Sequence, residues 1–285
     1  MKSVEEISDL VSRAIESLNW DREPAGLYAP IAYTLSLGGK RIRPALTLMA
    51  CNLYTDELEN ALKPALGIEI FHNFTLLHDD IMDRAALRRG KPTVHLKWND
   101  NTAILSGDVM QIAAYQLMSA APAPVLKPVL ELFSRTAVEI CEGQQYDMDN
   151  AMLSLSDETE YLSMIRLKTA VLLAQVCYIG ALLGDATEED ARHMYCFGEN
   201  LGMAFQLQDD LLDSYGEEKS FGKKIGGDIV EGKQTFLVTK ALQKLSPREG
   251  QKLKLLLRSN TNPECEKIQA VKSVFDKCEV VSQTE

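Results

Sequence analysis

Two runs of acidic side chains have the types and spacing to do chemistry. His78-Asp79-Asp80-Ile81-Met82-Asp83 and Gln208-Asp209-Asp210-Leu211-Leu212-Asp213 share the pattern D-D-x-x-D, with the first and last carboxylates four residues apart. On a helix, Asp79 and Asp83 then share one face, as do Asp209 and Asp213, and each pair can converge on one ion. The first run ends an apolar helical stretch that begins near Ala65, and the second follows Met203-Ala204-Phe205-Gln206-Leu207. Acids at a helix C-terminus repel one another and meet the negative end of the dipole, so a solvated surface is a poor account of two copies. Carboxylates at this density suit a hard divalent cation, and magnesium is commonly shared between carboxylates, water and substrate phosphates. An EF-hand calcium loop is excluded, because its ligand spacing and its glycine at position six are absent.

Four short basic groups supply the opposite charge. They are Gly38-Gly39-Lys40-Arg41-Ile42-Arg43-Pro44, Arg88-Arg89-Gly90-Lys91-Pro92-Thr93, Lys168-Thr169, and Lys223-Lys224 with Lys233. Arginine offers a planar fork that matches phosphate oxygens, and lysine a compact charge. Any one group alone reads as solvated surface; alongside two acid motifs they read as a grip on anions. Arg88 and Arg89 follow the first acid motif by a few residues, where both can reach one anion.

The elements that must position these groups are helices. Side-chain acceptors with acidic residues in the following turn mark helix starts at Asp56 with Glu59, Asp157 with Glu160, Ser246-Pro247 with Glu249, and Asn262-Pro263 with Glu264 and Glu266. Alternating β-branched runs and two-residue hairpin turns are not evident, so the expected fold is all-α. Breakers fall at Gly38-Gly39, at Ala121-Pro122-Ala123-Pro124 with Pro128, and across residues 216–232. No shift in composition divides the chain, so residues 1–285 read as a single domain. With 285 residues, 46% of them apolar, the chain can bury a large core. A net charge of −11 argues against a nucleic-acid binder, which needs a basic footprint. The N-terminus is not a signal peptide, and the apolar run 169–184 is shorter than a membrane span, so it reads as a buried core helix. The six scattered cysteines, none in a C-x-x-C pair, read as reduced core residues of a cytoplasmic protein.

Over residues 33–239 the chain resembles the trans-type polyprenyl (isoprenyl) diphosphate synthases. The resemblance rests on G-G-K-R-I-R-P, on H-D-D-I-M-D followed by R-R-G-K-P-T, and on Gly107-Asp108. It extends to G-Q-Q-Y-D from Gly143 to Asp147, to Lys168-Thr169-Ala170, and to F-Q-L-Q-D-D-L-L-D from Phe205 to Asp213. It implies an antiparallel helix bundle of the isoprenoid synthase type around a deep central apolar cavity, as a homodimer. It implies that Asp79, Asp83 and Asp209 bind magnesium ions, for which manganese can substitute, with Asp80, Asp210 and Asp213 in support. Arg88, Lys168, Lys233 and Lys223 would grip an allylic diphosphate, with the choice between Lys223 and Lys224 open. Lys40, Arg43, His72 and Arg89 would grip the diphosphate of isopentenyl diphosphate, and Thr169 and Gln206 would line the reacting centre. The implied reaction ionises the allylic substrate and joins the two head to tail. His78 reads as a helix-packing residue, and His72 as a phosphate contact rather than a base.

In this family, bulky residues just before the first acid motif floor the product cavity. Phe74 and Thr75 lie five and four residues before Asp79, and Phe71 lies one turn earlier. Phe74 therefore points to a short product, C15 farnesyl diphosphate. The motif lacks the two-residue insertion of many bacterial short-chain members, which leaves C10 geranyl and C20 geranylgeranyl diphosphate open. A terpene cyclase is disfavoured, since the second metal motif is another D-D-x-x-D and G-G-K-R-I-R-P offers a site for a second diphosphate. A non-catalytic subunit is disfavoured because both acid motifs are kept. Members of the family continue with more helix past a point like residues 274–285, so a trimmed C-terminal end is expected.

Overall fold

The computed structural model describes residues 1–152, 157–216, 225–259 and 263–284. The chain divides into two compact units, Met1–Arg135 with Ala174–Gly198, and Thr136–Leu173 with Glu199–Glu285. The first unit contains α1 (Val4–Glu16), α2 (Ala25–Ser36), α3 (Ile42–Asn52), α4 (Glu59–Met82), the strands β1 (Leu87–Arg88) and β2 (Lys91–Pro92), α5 (Val94–Lys97) and α6 (Asp100–Met118). The division falls inside α7 (Ala123–Met152), α9 (Val171–Leu183) and α10 (Glu188–Tyr215). The second unit also holds α8 (Glu158–Ile165), a π-helical turn (Arg166–Ala170), α11 (Gly227–Glu231), α12 (Phe236–Lys244), α13 (Pro247–Arg258), α14 (Glu264–Lys277) and α15 (Val281–Thr284).

In the first unit α4 is the central element. Its buried side chains, from Ala61 through Ile68 and Phe71 to Leu77, point in every direction around the helix, as they must when neighbours cover all sides. It packs mainly on α6 and also on α3, while α1 lies on α3 and α2 on α6. In the second unit Leu237, Val238 and Ala241 of α12 pack with Leu253 and Leu257 of α13 and with Val271 and Phe275 of α14. A separate cluster joins Tyr161, Met164 and Ile165 of α8 to Phe236. Lys267 is buried there, and its ammonium donates to the carbonyls of Val230 and Leu257 at 2.9 and 2.6 Å, which caps the ends of α11 and α13.

The fold is all-α, as expected, with several local departures. Capping boxes form at Asp157 with Glu160 and at Ser246 with Glu249. Asp56 caps nothing: its carboxylate pairs with the N-terminal ammonium at 2.7 Å, and α4 starts after Leu58 without a side-chain cap. At the fourth signal, Asn262 lies outside the described residues and Pro263 precedes α14 with no side-chain cap. The breaker at Ala121–Pro128 is shorter than expected, because α7 already starts at Ala123 and carries Pro128 inside it. A two-residue hairpin turn does exist: β1 and β2 pair antiparallel around Arg89 and Gly90, both at positive φ (52° and 74°). Glycine adopts that backbone freely, while Arg89 gives no sign of it in sequence. Of the six cysteines, Cys51, Cys177 and Cys278 are buried but Cys141, Cys196 and Cys265 are exposed, contrary to the expected core placement. The stretch Glu158–Leu183 is long and apolar enough to cross a membrane, yet 72% of its most apolar window is buried inside the protein, the burial of a core helix.

Candidate active site

The first acid motif occupies the last turn of α4, with Asp83 at its C-cap. Its three carboxylates have different surroundings. Asp80 is buried and accepts a bidentate hydrogen bond from Arg88, with Nε and Nη2 at 2.9 and 2.7 Å from Oδ1. Asp79 is half-buried and Asp83 exposed, one helical turn apart. Burial works against the charge of Arg88, but the hydrogen bond to Asp80 and the charges of Asp80, Asp79 and Asp83 outweigh it and raise its pKa. The β1–β2 hairpin sets Arg88 back toward α4 and sends Arg89 toward the glycine loop, where its guanidinium donates to the Gly38 carbonyl. Gly39, at φ 130°, holds a backbone conformation that any side chain would strain.

That loop is fixed from below. Arg41, at φ 48°, donates to Glu69 at 2.5 Å and to the Leu35 carbonyl at 2.6 Å, and Asn73 Nδ2 donates to the same Glu69 oxygen at 2.8 Å. The loop presents Lys40 at the surface and Arg43 next to His72, with 3.1 Å between Nη1 and Nε2. A guanidinium only donates, so Nε2 accepts, and the ring is neutral with its proton on Nδ1. Burial first, and then the charges of Arg43, Arg89, Arg88 and Arg41, hold the His72 pKa well below its ordinary value. Arg43 is itself lowered to about 10 by burial, against the opposing pull of Glu69, and its buried Nε has no hydrogen-bond partner among the described residues. Four guanidinium groups thus act on one neutral ring, while Glu69 and Asp80 are paired with Arg41 and Arg88. The guanidinium groups acting on the ring therefore outnumber the carboxylates paired with them.

Phe74 is buried, with its ring 4.8 Å from His78 and 5.5 Å from Phe71. Phe71 lies 5.1 Å from Phe133, and Phe133 4.8 Å from Tyr115. Thr75 turns its hydroxyl to the His72 carbonyl at 2.8 Å. His78 contacts the Ile104 carbonyl of α6 at 3.1 Å, the packing role expected of it.

The second unit carries the other half of the expected set. Lys168 and Thr169 lie in the π-helical turn, a widened turn that re-aims side chains and recurs at functional sites. Lys168 pairs with Asp147 at 2.6 Å. Gly143, one turn before Asp147 on α7, lets that turn approach, since a Cβ would lie 2.4 Å from the Lys168 backbone nitrogen. Thr169 donates to Gln206 Oε1 at 3.3 Å, and Gln206 Nε2 donates to Asp210 at 3.1 Å. Asp210 is buried, and also accepts from the Tyr161 hydroxyl and from the Phe236 N–H. Burial pushes its pKa up to about 6 against the lowering effect of these three donors. Asp213 is buried and accepts from the Asp228 N–H at 3.1 Å, while Asp209 is half-buried. Lys233 pairs with Glu231 at 2.7 Å and reaches Asp228 at 4.0 Å. Lys223 and Lys224 lie outside the described residues.

In both motifs the second carboxylate is buried and the first half-buried, but the last is exposed at Asp83 and buried at Asp213. Asp80, Asp210 and Asp213 are buried and held by protein donors, whereas Asp79, Asp83 and Asp209 are the ones nearer the surface. Among the described residues, no three His, Cys, Asp or Glu side chains gather closely enough to form a complete protein cage for a metal. A magnesium ion that keeps waters and takes phosphate oxygens needs only one or two carboxylates, so this donor set fits it. Sequence reading missed Glu69, Asn73, Tyr161 and Asp228. Asp228 follows Gly226-Gly227 and precedes Lys233, the one available signal, and burial followed by Asp213 raises its pKa to about 7. Two clefts of about 510 and 450 Å³ flank residues 18–22 of the first unit and are lined by none of the expected site residues.

A family model described as polyprenyl synthetase matches residues 24–275. A geranylgeranyl diphosphate synthase of Methanosarcina mazei is 42% identical over 250 residues, covering 86% of this chain and 77% of the relative. A short chain isoprenyl diphosphate synthase of Methanocaldococcus jannaschii is also 42% identical, covering 85% of this chain and 74% of its own length. The crystal structure of a geranylgeranyl pyrophosphate synthase superposes with a TM-score of 0.94 at 42% identity, covering 100% of this chain and 88% of that one.

Proposed function

The chain belongs to the polyprenyl synthetase family, as a short-chain trans-prenyltransferase of isoprenoid biosynthesis, and from that premise we propose that it condenses isopentenyl diphosphate with an allylic diphosphate in a magnesium-dependent reaction. The observation that carries this reading is the excess of positive charge around His72, where, among the described residues, Arg43 and Arg89 form no ion pair of the kind that joins Arg41 to Glu69 and Arg88 to Asp80. A diphosphate supplies the missing negative charge, and guanidinium forks match its oxygens. Lys40, Arg43, His72 and Arg89 are assigned to isopentenyl diphosphate, and Arg88, Lys168, Lys233 and Lys223 to the allylic diphosphate. Asp79, Asp83 and Asp209 are assigned to magnesium or manganese, with Asp80, Asp210 and Asp213 as the carboxylates that hold the surrounding elements in place.

Bound magnesium supplies neutralisation of the charge that builds on the leaving diphosphate. Arg88 and Lys168 are each assigned as donors to the allylic diphosphate. As the allylic C–O bond breaks, its electron pair leaves with the diphosphate, and the isopentenyl double bond attacks the allylic cation. Loss of a proton to the departing diphosphate restores the double bond. Apolar walls keep water from capturing the cation.

The product we propose is C20, geranylgeranyl diphosphate, on the strength of the relatives' names. A C15 product is the second reading, favoured by the buried Phe74 and the rings behind it. The reading includes a homodimer, because Leu105 and Ile112 lie on one face of α6 and are 57% and 59% exposed, which a second copy would cover. It also includes a cytoplasmic location, in keeping with six scattered cysteines that form no C-x-x-C pair. Chain-length analysis of the products from dimethylallyl, geranyl and farnesyl diphosphate primers tests the assignment. Accumulation of C20 supports it, a stop at C15 favours the second reading, and release of cyclised hydrocarbon contradicts both.

A further inference from the structure

The second acid motif is tied to Gln206 and Thr169 by one continuous hydrogen-bonded relay. The Tyr161 hydroxyl and the Phe236 N–H both donate to Asp210 Oδ2. Gln206 Nε2 donates to Asp210 Oδ1, and Thr169 Oγ1 donates to Gln206 Oε1. Each direction is forced by its neighbour. An ionised carboxylate only accepts, so the Gln206 amide must present its nitrogen to Asp210 and its oxygen to Thr169, and the Thr169 hydroxyl must donate. Asp210 is 3% and Tyr161 2% exposed, so water is not at hand to replace a lost donor. The Tyr161 ring is clamped by Met164, Ile165 and Phe236, with Met203 and Leu207 of α10 against them, which fixes where its hydroxyl points.

We propose that Tyr161 is a positioning residue for prenyl transfer: its hydroxyl sets the Asp210 carboxylate, and through it the Gln206 amide and the Thr169 hydroxyl that face the reacting carbons. The proposal rests on the reading above that Thr169 and Gln206 line the reacting centre. It gives Asp210 a role that differs from that of Asp209, since both oxygens of Asp210 are occupied by protein donors. It also explains why donors from three elements, α8, α10 and α12, meet at the Asp210 carboxylate.

Tyr161→Phe removes the hydroxyl and keeps the ring. The expected result is a fall in kcat of roughly 10- to 100-fold, the scale of a mispositioned reactant contact, with KM for both diphosphates within about twofold of the parent. In a Gln206→Ala background the same substitution should lower kcat no further, because its path to the substrate is already cut. Asp210→Asn is the companion variant. Its amide must keep the oxygen toward Tyr161 and Phe236, which turns its nitrogen toward Gln206 and inverts the relay, so kcat should fall comparably while the helical circular dichroism stays that of the parent. An unchanged kcat in Tyr161→Phe, or penalties that multiply in the double variant, overturns the proposal. A parent chain that transfers no prenyl group overturns instead the reading on which it rests.

Discussion

Replacing Glu69 gives the sharpest test of how the glycine loop is anchored. Arg41 and Glu69 are 2.5 Å apart with side chains 10% and 3% exposed, so neither charge has water to fall back on. Glu69→Leu leaves the guanidinium buried and unpaired, which costs about 3–5 kcal/mol. It also takes one acceptor from Asn73 Nδ2, a loss of about 1 kcal/mol. The sum, roughly 4–6 kcal/mol, is a large part of the 5–15 kcal/mol that holds a typical domain. Arg41→Met alone strands the carboxylate and should lose about 3–5 kcal/mol. The double variant Arg41→Met/Glu69→Leu has no stranded charge. It lacks the Asn73 bond and the donor to the Leu35 carbonyl, so its loss should shrink to about 2 kcal/mol. Urea unfolding measures all three, each change taken from the midpoint shift at constant slope. A double variant as unstable as the sum of the singles would falsify the claim that this pair is one buried unit.

Three further outcomes are expected. Asp79→Ala should cut kcat by at least about 10²-fold, the scale of losing one transition-state stabiliser, with the helical circular dichroism unchanged; near-parent turnover would remove Asp79 from the metal assignment. Phe74→Ala should lengthen the product and, by opening a cavity beside Phe71 and His78, cost about 3–5 kcal/mol; an unchanged product profile places the floor elsewhere. His72 is held neutral in the fold while the unfolded chain binds a proton near pH 6.5, so stability should fall as pH drops below that value, by up to about 1.4 kcal/mol per pH unit from this group. His72→Gln should remove that portion of the acid-side slope, and parallel curves for parent and variant would contradict the neutral ring.

Helical periodicity made part of this site readable from the chain alone. Four-residue spacing puts Asp79 with Asp83 at the end of α4 and Asp209 with Asp213 at the end of α10, and both helices are there. Pattern could not say which acids turn inward. That depends on Arg88 reaching Asp80 across 8 residues, on the Phe236 N–H reaching Asp210 across 26, and on Tyr161 reaching it across 49. The hairpin that aims Arg88 and Arg89 has only two residues per strand, too few for an alternating pattern to register. The π-helical turn under Lys168 and Thr169 has the composition of ordinary helix, and is set by contacts such as that of Gly143 rather than by local propensity. Glu69 and Asn73 sit in an apolar helix without any motif, and their value to the loop appears only when Arg41 arrives from 28 residues away. Phe74 was legible as a bulky residue before the acid motif, but the rings of Phe133 and Tyr115 that back it belong to other helices.

On the proposed function, the two acid motifs and the arginine cluster around His72 serve one condensation. Incubating the purified chain with labelled isopentenyl diphosphate, geranyl diphosphate and magnesium tests it most directly. The expected result is label in longer linear prenyl diphosphates, with none when either the allylic primer or the metal is withheld. Label that stays in isopentenyl diphosphate with all components present, or that enters product without the primer, would contradict it.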